Sequence, residues 1–407
     1  MGQHGPHTCI FVINAVAGDT IAGATAKRRK TQADGVSAVG MDYQTPQFFH
    51  VMQYADDADG DIIDMVSGNP DWEPPAAIRE GLHEYADSDA DEFQYPPSDG
   101  LQSLREEIAA RRNVDPDRVI VTNGTGEANY LGMARALDGD RGDGVVLIDP
   151  VYPYYTGKAS MLGGDTRLVE ANRDGGLDTE ATCEAIDDDT AVVVLNTPNN
   201  PTGAVYDLDA VEAVVETAAD HNAIVVVDEV YGHFDFSGDF ESALTLDADN
   251  VIITSGVSKS MAITGFRIGY AVVPSALVAA AKTRHMLVNV TTSRPAQQAV
   301  YEAYRATDPD YYADARDRLE SRIESFTAAL DAAGADYTKP DGAFYVLARF
   351  DDFPGTMANV KTLIDEAGVA GMPGATFGSA REEWIRFALV TPRVEAAAER
   401  LIDYFAD

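Results

Sequence analysis

Residues 190–203 read Thr-Ala-Val-Val-Val-Leu-Asn-Thr-Pro-Asn-Asn-Pro-Thr-Gly, and residues 224–231 read Ile-Val-Val-Val-Asp-Glu-Val-Tyr. Each opens on an apolar run and breaks off into polar residues. Ala191–Leu195 and Ile224–Val227 are apolar throughout instead of alternating, as strands covered on both faces must be. Similar runs stand at Val119–Thr122, Gly144–Ile148 and Val251–Thr254, with helical patterns over Gly100–Arg112, Glu127–Leu137 and Leu208–His221 between them. Alternating strand and helix predicts an α/β fold built on a large, mostly parallel sheet flanked by helices. Ligands of such sheets sit at the strand carboxyl ends.

Further along, the pattern changes. After Pro295 come long helices over Ala296–Ala306 and Tyr311–Ala333, a short strand near Ala343–Phe350, another helix, and a strand at Trp384–Ala388. We expect a large domain over 76–295 and a smaller α+β domain over 296–407, which the segment 41–75 joins. Residues 1–40 stand apart in composition: four basic and two acidic, against 26 basic and 65 acidic in the remainder. Their basic cluster Lys27–Lys30 follows the apolar stretch Cys9–Ala17, the reverse of a signal peptide. We read them as an atypical extension, disordered or preceding the true start at Met41.

The 407 residues carry a net charge of −37, with seven Lys against 23 Arg. A polyanion loses the phosphate attraction on which nucleic-acid and anionic-membrane binding rest. No apolar run approaches the ~20 residues that span a bilayer. The 45% apolar content excludes a disordered acidic chain. An acidic, lysine-poor surface suits a halophile's cytoplasm, where salt screens the repulsion. The two cysteines, Cys9 and Cys183, make no disulfide framework and have no metal-ligand spacing, as expected of a reducing compartment.

Four polar segments stand at predicted strand ends: Thr122-Asn-Gly-Thr-Gly-Glu-Ala128, Asn196–Gly203, Asp228-Glu-Val-Tyr231, and Ser255-Gly-Val-Ser-Lys259 followed by Thr264-Gly-Phe-Arg-Ile-Gly269. One Lys, one Asp, one Tyr, one Asn and a Gly-rich turn at one sheet edge match the needs of pyridoxal phosphate. That cofactor requires an amine for its aldehyde, a carboxylate beside its ring nitrogen, donors to its phenolate oxygen, and a phosphate seat. Of the lysines after Met41, at 158, 259, 282, 339 and 361, only Lys259 lies in a Gly/Ser-rich strand-end loop.

In this order, from about Ile62 to Phe405, the segments resemble the class I/II aminotransferases, fold type I pyridoxal phosphate enzymes of the aspartate aminotransferase superfamily. The resemblance implies the following roles. Lys259 carries the cofactor and moves the substrate proton, Asp228 pairs with the ring nitrogen, and Tyr231 and Asn200 face the phenolate oxygen. Gly124, Thr125, Gly126, Ser258 and Arg267 seat the phosphate. Gly256 departs from the Ser that many members carry there. Tyr152 stacks on the ring, with Tyr154 and Tyr155 as alternatives. Arg386, with Gly68 and Asn200, binds the substrate α-carboxylate, and Tyr95 reaches the partner's phosphate in a homodimer. The implied reaction is transamination, aspartate-like or of broad specificity, with 2-oxoglutarate as acceptor; a lyase or decarboxylase of the same fold is the alternative. Arg284 and Arg294 are the nearest candidates for a distal-carboxylate arginine, and neither is assigned.

Overall fold

The apolar runs become strands of one seven-stranded sheet in a computed structural model that describes residues 47–139 and 142–405. The reading of residues 1–40 lies outside the described residues. Across the sheet the strands run Val119–Asn123, Ile268–Val272, Val251–Gly256, Ile224–Asp228, Thr190–Asn196, Gly144–Asp149 and Asp165–Glu170. Ile268–Val272 is antiparallel to both its neighbours, and every other pairing from Val251–Gly256 outward is parallel. Six strands therefore end at one edge, and the reversed one begins there.

Both faces are covered, which is why the central strands need no polar alternation. Val121, Val146, Val193, Val225 and Ile253 pack with Leu104, Ile108, Val211, Val214 and Val300 from three helices. On the opposite face Ile120, Val145, Val192, Val226 and Ile252 pack with Ala128, Met133 and Ala281. The helix predicted over Gly100–Arg112 begins at Gln102, because Gly100 takes φ +106° and Leu101 is extended.

Two strands escape the sequence reading. Asp165–Glu170 is a sheet edge with only Val169 buried, so it lacks an apolar run. Ile268–Val272 is hidden by its glycine and by the polar segment before it; the chain turns back at Arg267, φ 58°, and enters the sheet reversed.

A second, antiparallel sheet places Met372–Pro373, Ile385–Ala388, Tyr345–Arg349 and Asp336–Tyr337 side by side. Ile63–Asp64 pairs in parallel with Val369–Ala370. Val51, Ile63 and Met65 share one apolar cluster with Phe326, Val360, Phe387 and Leu401, so the segment ahead of residue 75 packs with the C-terminal elements.

Where the reversed strand passes the helix Thr125–Leu137, backbone meets backbone. A Cβ at Gly269 would lie 2.4 Å from both Gly124 C and Thr125 N, closer than carbon atoms approach. Gly269→Ala therefore pushes the helix start off the sheet. We expect a loss of about 2–4 °C in Tm per kcal/mol of strain, together with weakened anion binding at that helix start; thermal unfolding with and without phosphate checks both.

Candidate active site

The sheet register sets Asn196 beside Asp228 and Asp228 beside Thr254 at the carboxyl edge. Asp228 is only 4% exposed. Its Oδ2 accepts from Asn129 Nδ2 and from the Tyr155 hydroxyl, both at 2.6 Å, and its Oδ1 accepts from the Val230 amide at 3.0 Å. Burial pushes this carboxyl up, while those three donors and the nearby Lys158 charge pull it down. Asn129 is itself fixed by Thr254, whose hydroxyl donates to its carbonyl oxygen.

Lys259 lies three residues beyond the strand Val251–Gly256. Its Nζ donates to Gly68 O at 2.7 Å. Burial, with the Arg386 and Arg267 charges, pulls the amine down to about 8. Gly68 is confined: a Cβ there would stand 2.2 Å from Tyr345 Oη. That same hydroxyl lies 3.1 Å from Tyr231 Oη. Burial and Tyr345 hold the Tyr231 phenol protonated well above its ordinary range.

Arg386 sits on the strand Ile385–Ala388 and is 1% exposed. It donates to Asn200 Oδ1 at 3.1 Å and to Val66 O at 2.6 Å, and Nε has no partner. The Tyr345 and Phe377 ring centres lie 4.5 and 4.9 Å from its guanidinium carbon. Burial pulls its pKa down from the usual guanidinium value. Among the described residues no carboxylate pairs with this buried cation, so it could seat an incoming one.

The opposite end of the cleft could seat a second anion. Gly124, at φ +76°, opens the helix Thr125–Leu137 with no side-chain cap. Helix N-termini present unpaired N–H groups and a partial positive charge. Arg267 is clamped above it, donating to Thr264 O at 3.0 Å and Asn123 O at 3.2 Å, and any Cβ at Gly124 would strike its Nη2 at 2.4 Å. Thr125 Oγ1 is buried without a partner. Gly256 is explained by the same hydroxyl: a Cβ there would come within 2.7 Å of Thr125 Oγ1.

These groups line one cavity of about 420 Å³. It gathers Lys259, Asp228, Tyr231, Asn200, Thr125, Gly126, Tyr152, Ser258, Arg267, Gly68 and Arg386. Gly124 lies just behind Arg267. Tyr95 stands outside the cavity and is 82% exposed. Arg284 pairs with Asp138 and Arg294 with Glu92, and neither lines the cavity. Sequence reasoning missed Asn129, Lys158, Tyr345 and the residues Phe48, Phe49 and Met52, all of which do line it. Asn129 and Lys158 each lie one helical turn beyond a residue already singled out, Thr125 and Tyr155, so helix spacing could have found them.

The profile of the family described as aminotransferase class I and II matches residues 60–403. The chain belongs to this family. It is 31% identical over 351 residues to the probable aspartate/prephenate aminotransferase of Thermus aquaticus, covering 84% of this chain and 90% of that protein. It is likewise 31% identical over 363 residues to the aspartate aminotransferase of Bacillus sp. strain YM-2, covering 84% and 91%. A single mutant of the Thermus thermophilus aspartate aminotransferase superposes with a TM-score of 0.82 at 28% identity, covering 91% of this chain and 99% of that one.

Aminotransferases of this family depend on pyridoxal phosphate, and the residues present fit that cofactor. An amine, a buried carboxylate, two hydroxyl or amide groups and an anion seat with an unpartnered hydroxyl lie around one cavity. The Lys259 shift carries a stability consequence. With a folded pKa near 8 and an unfolded value of 10.5, the unfolded chain binds more protons between those values, so stability rises with pH across that window. In the cofactor-free aminotransferase, Lys259→Met should raise Tm by several degrees at pH 7, with the gain vanishing above about pH 10.5. Equal Tm values for the two proteins at pH 7 would contradict the burial of a charged amine. In contrast, Gly256→Ser forces a side chain against Thr125 and should weaken cofactor binding about tenfold, read by titrating the apoenzyme with pyridoxal phosphate.

Proposed function

We propose that this aminotransferase transfers the amino group of an L-amino acid to a 2-oxo acid, 2-oxoglutarate in our reading, using pyridoxal phosphate held by the residues of this cleft. When bound, the cofactor supplies an aldehyde for the amine and an electron-accepting ring. The observation that carries this reading is the pairing, in one cavity, of a lysine whose amine is drawn down to about 8 with a buried arginine that no carboxylate contacts among the described residues.

The roles follow from the environments. Arg386 and the Gly68 region take the α-carboxylate. Lys259, at about 8, gives and takes a proton at the substrate's α-carbon with little energetic bias near neutral pH. Asp228 would stand beside the cofactor's ring nitrogen, where its carboxylate would favour the protonated ring. Tyr231 and Asn200 would hold the phenolate oxygen, Tyr152 would hold the ring, and the start of the helix Thr125–Leu137 with Arg267 and Ser258 would hold the phosphate.

We also propose a homodimer. The segments around Tyr95 and Arg294 are joined: Thr291 Oγ1 donates to Pro97 O at 2.9 Å, and Arg294 pairs with Glu92. Together they expose Phe93, Tyr95, Leu287, Val288 and Val290, an apolar set that a second copy would cover, bringing Tyr95 to the partner's phosphate seat. The acidic surface supports a cytoplasm rich in salt, and activity should fall on dialysis into low salt as screening is lost.

The deciding experiment follows the visible absorption of the holoenzyme during addition of single amino acids. Conversion to the pyridoxamine form by amino acid alone, reversed by 2-oxoglutarate, is the expected result. Release of ammonia or carbon dioxide without that conversion would replace transamination by a lyase or decarboxylase reaction.

A further inference from the structure

We propose that Tyr345 is a positioning residue for the reaction: it donates its hydroxyl hydrogen to Tyr231 and so strengthens that phenol as a donor to the cofactor's phenolate oxygen. This rests on the pyridoxal phosphate reading above. The second sheet sets Tyr345 in place. Leu347 lies opposite Arg386 in the antiparallel pair, and Tyr345, two residues along the strand, shares that face. Its ring is thereby held beside Arg386, with 4.5 Å between ring centre and guanidinium carbon, while Phe48 of the helix Gln47–Asp57 lies 5.6 Å from the same carbon. Its hydroxyl oxygen meets Tyr231 Oη at 3.1 Å, the two rings standing 86° to one another. Both phenols are buried within one chain and line the same cavity.

Two protonated phenols in contact share one hydrogen bond and leave the other hydroxyl hydrogen to point elsewhere. Burial holds both above their ordinary values, so neither ionises near neutral pH. The surrounding charges decide which of them donates. After burial, the strongest influence on Tyr345 is the Arg386 cation, which eases release of its proton and makes it the better donor. Around Tyr231, the Tyr152 phenol and the Asp228 carboxyl act in the opposite sense and make it the better acceptor. Lys259, the other charged group at hand, is turned to Gly68 O. The Tyr231 hydrogen is then free to face the cavity, and a phenol that accepts one hydrogen bond donates the next more strongly.

The test follows the visible absorption of the pyridoxal phosphate-loaded protein against pH in the wild type, Tyr345→Phe, Tyr231→Phe and the double variant. Weaker donation leaves the phenolate oxygen more basic, so Tyr345→Phe should move the absorption change up by about half a pH unit, a roughly threefold gain in proton affinity. Adding Tyr345→Phe to Tyr231→Phe should move it no further, because the effect passes through Tyr231. Phe keeps the ring beside Arg386, so succinate, an unreactive carboxylate, should bind Tyr345→Phe as tightly as the wild type. No shift in Tyr345→Phe, or an equal shift in the Tyr231→Phe background, would overturn the proposal and leave the aminotransferase reading standing. A shift accompanied by lost succinate affinity would assign Tyr345 to the Arg386 seat instead and overturn it likewise. A wild-type protein that takes up no pyridoxal phosphate would overturn both.

Discussion

A carboxylate buried at the end of a central strand has to be stabilised by something, and in this protein the groups that hydrogen-bond to Asp228 are neutral donors, with the Lys158 charge acting from farther off. Asn129, Tyr155 and the Val230 amide fill its lone pairs without supplying charge. In our proposal a cation from outside the chain completes this arrangement, because hydrogen bonds alone leave the desolvation of a buried ion only partly offset. The rest of the cleft is organised around that demand. The strand Ile224–Asp228 puts the acid at the floor, the helix Thr125–Leu137 brings Asn129 to it from one side, and the next helix brings Tyr155.

The one reversed strand completes the design. Were Ile268–Val272 parallel to its neighbours, Arg267 would fall at the far edge of the sheet. Because the strand runs backward, the residue before it lands with the carboxyl ends of the other six, directly over the uncapped helix start. The glycines at 124, 256 and 269 then follow from proximity: at each, a Cβ would collide with Arg267, with Thr125 or with the helix backbone. The glycine at 256, where many members of the family carry Ser, marks a place where Thr125 already fills the space.

What could be read from the sequence was local chemistry at the ends of apolar runs. Lys259, Asp228, Asn200 and the Gly-rich turn are short-range signals: each lies in a polar break directly after a strand that is itself legible. Arg386 was legible as a charge inside an apolar strand. Tyr345 and the Phe48–Met52 face were not, because they reach the cavity only through tertiary packing. Tyr345 meets Tyr231 across 114 positions of chain, and the N-terminal helix meets Arg386 across more than 300. The strand Ile268–Val272 was lost for a different reason, its glycine and polar lead-in concealing a buried run. Tyr95 belongs to a third class: it is exposed in one chain, and its role rests on the homodimer we propose.

In our proposal Lys259, and not the other lysine of the cleft, is the group on which the chemistry turns. Both amines are drawn down to about 8 by burial, so basicity does not separate them; geometry does. Borohydride reduction of the protein saturated with pyridoxal phosphate, followed by peptide mass spectrometry, reads the attachment point directly. We expect a phosphopyridoxyl group on Lys259 at one per chain and an unmodified Lys158. A label on Lys158, or none on Lys259, would contradict it.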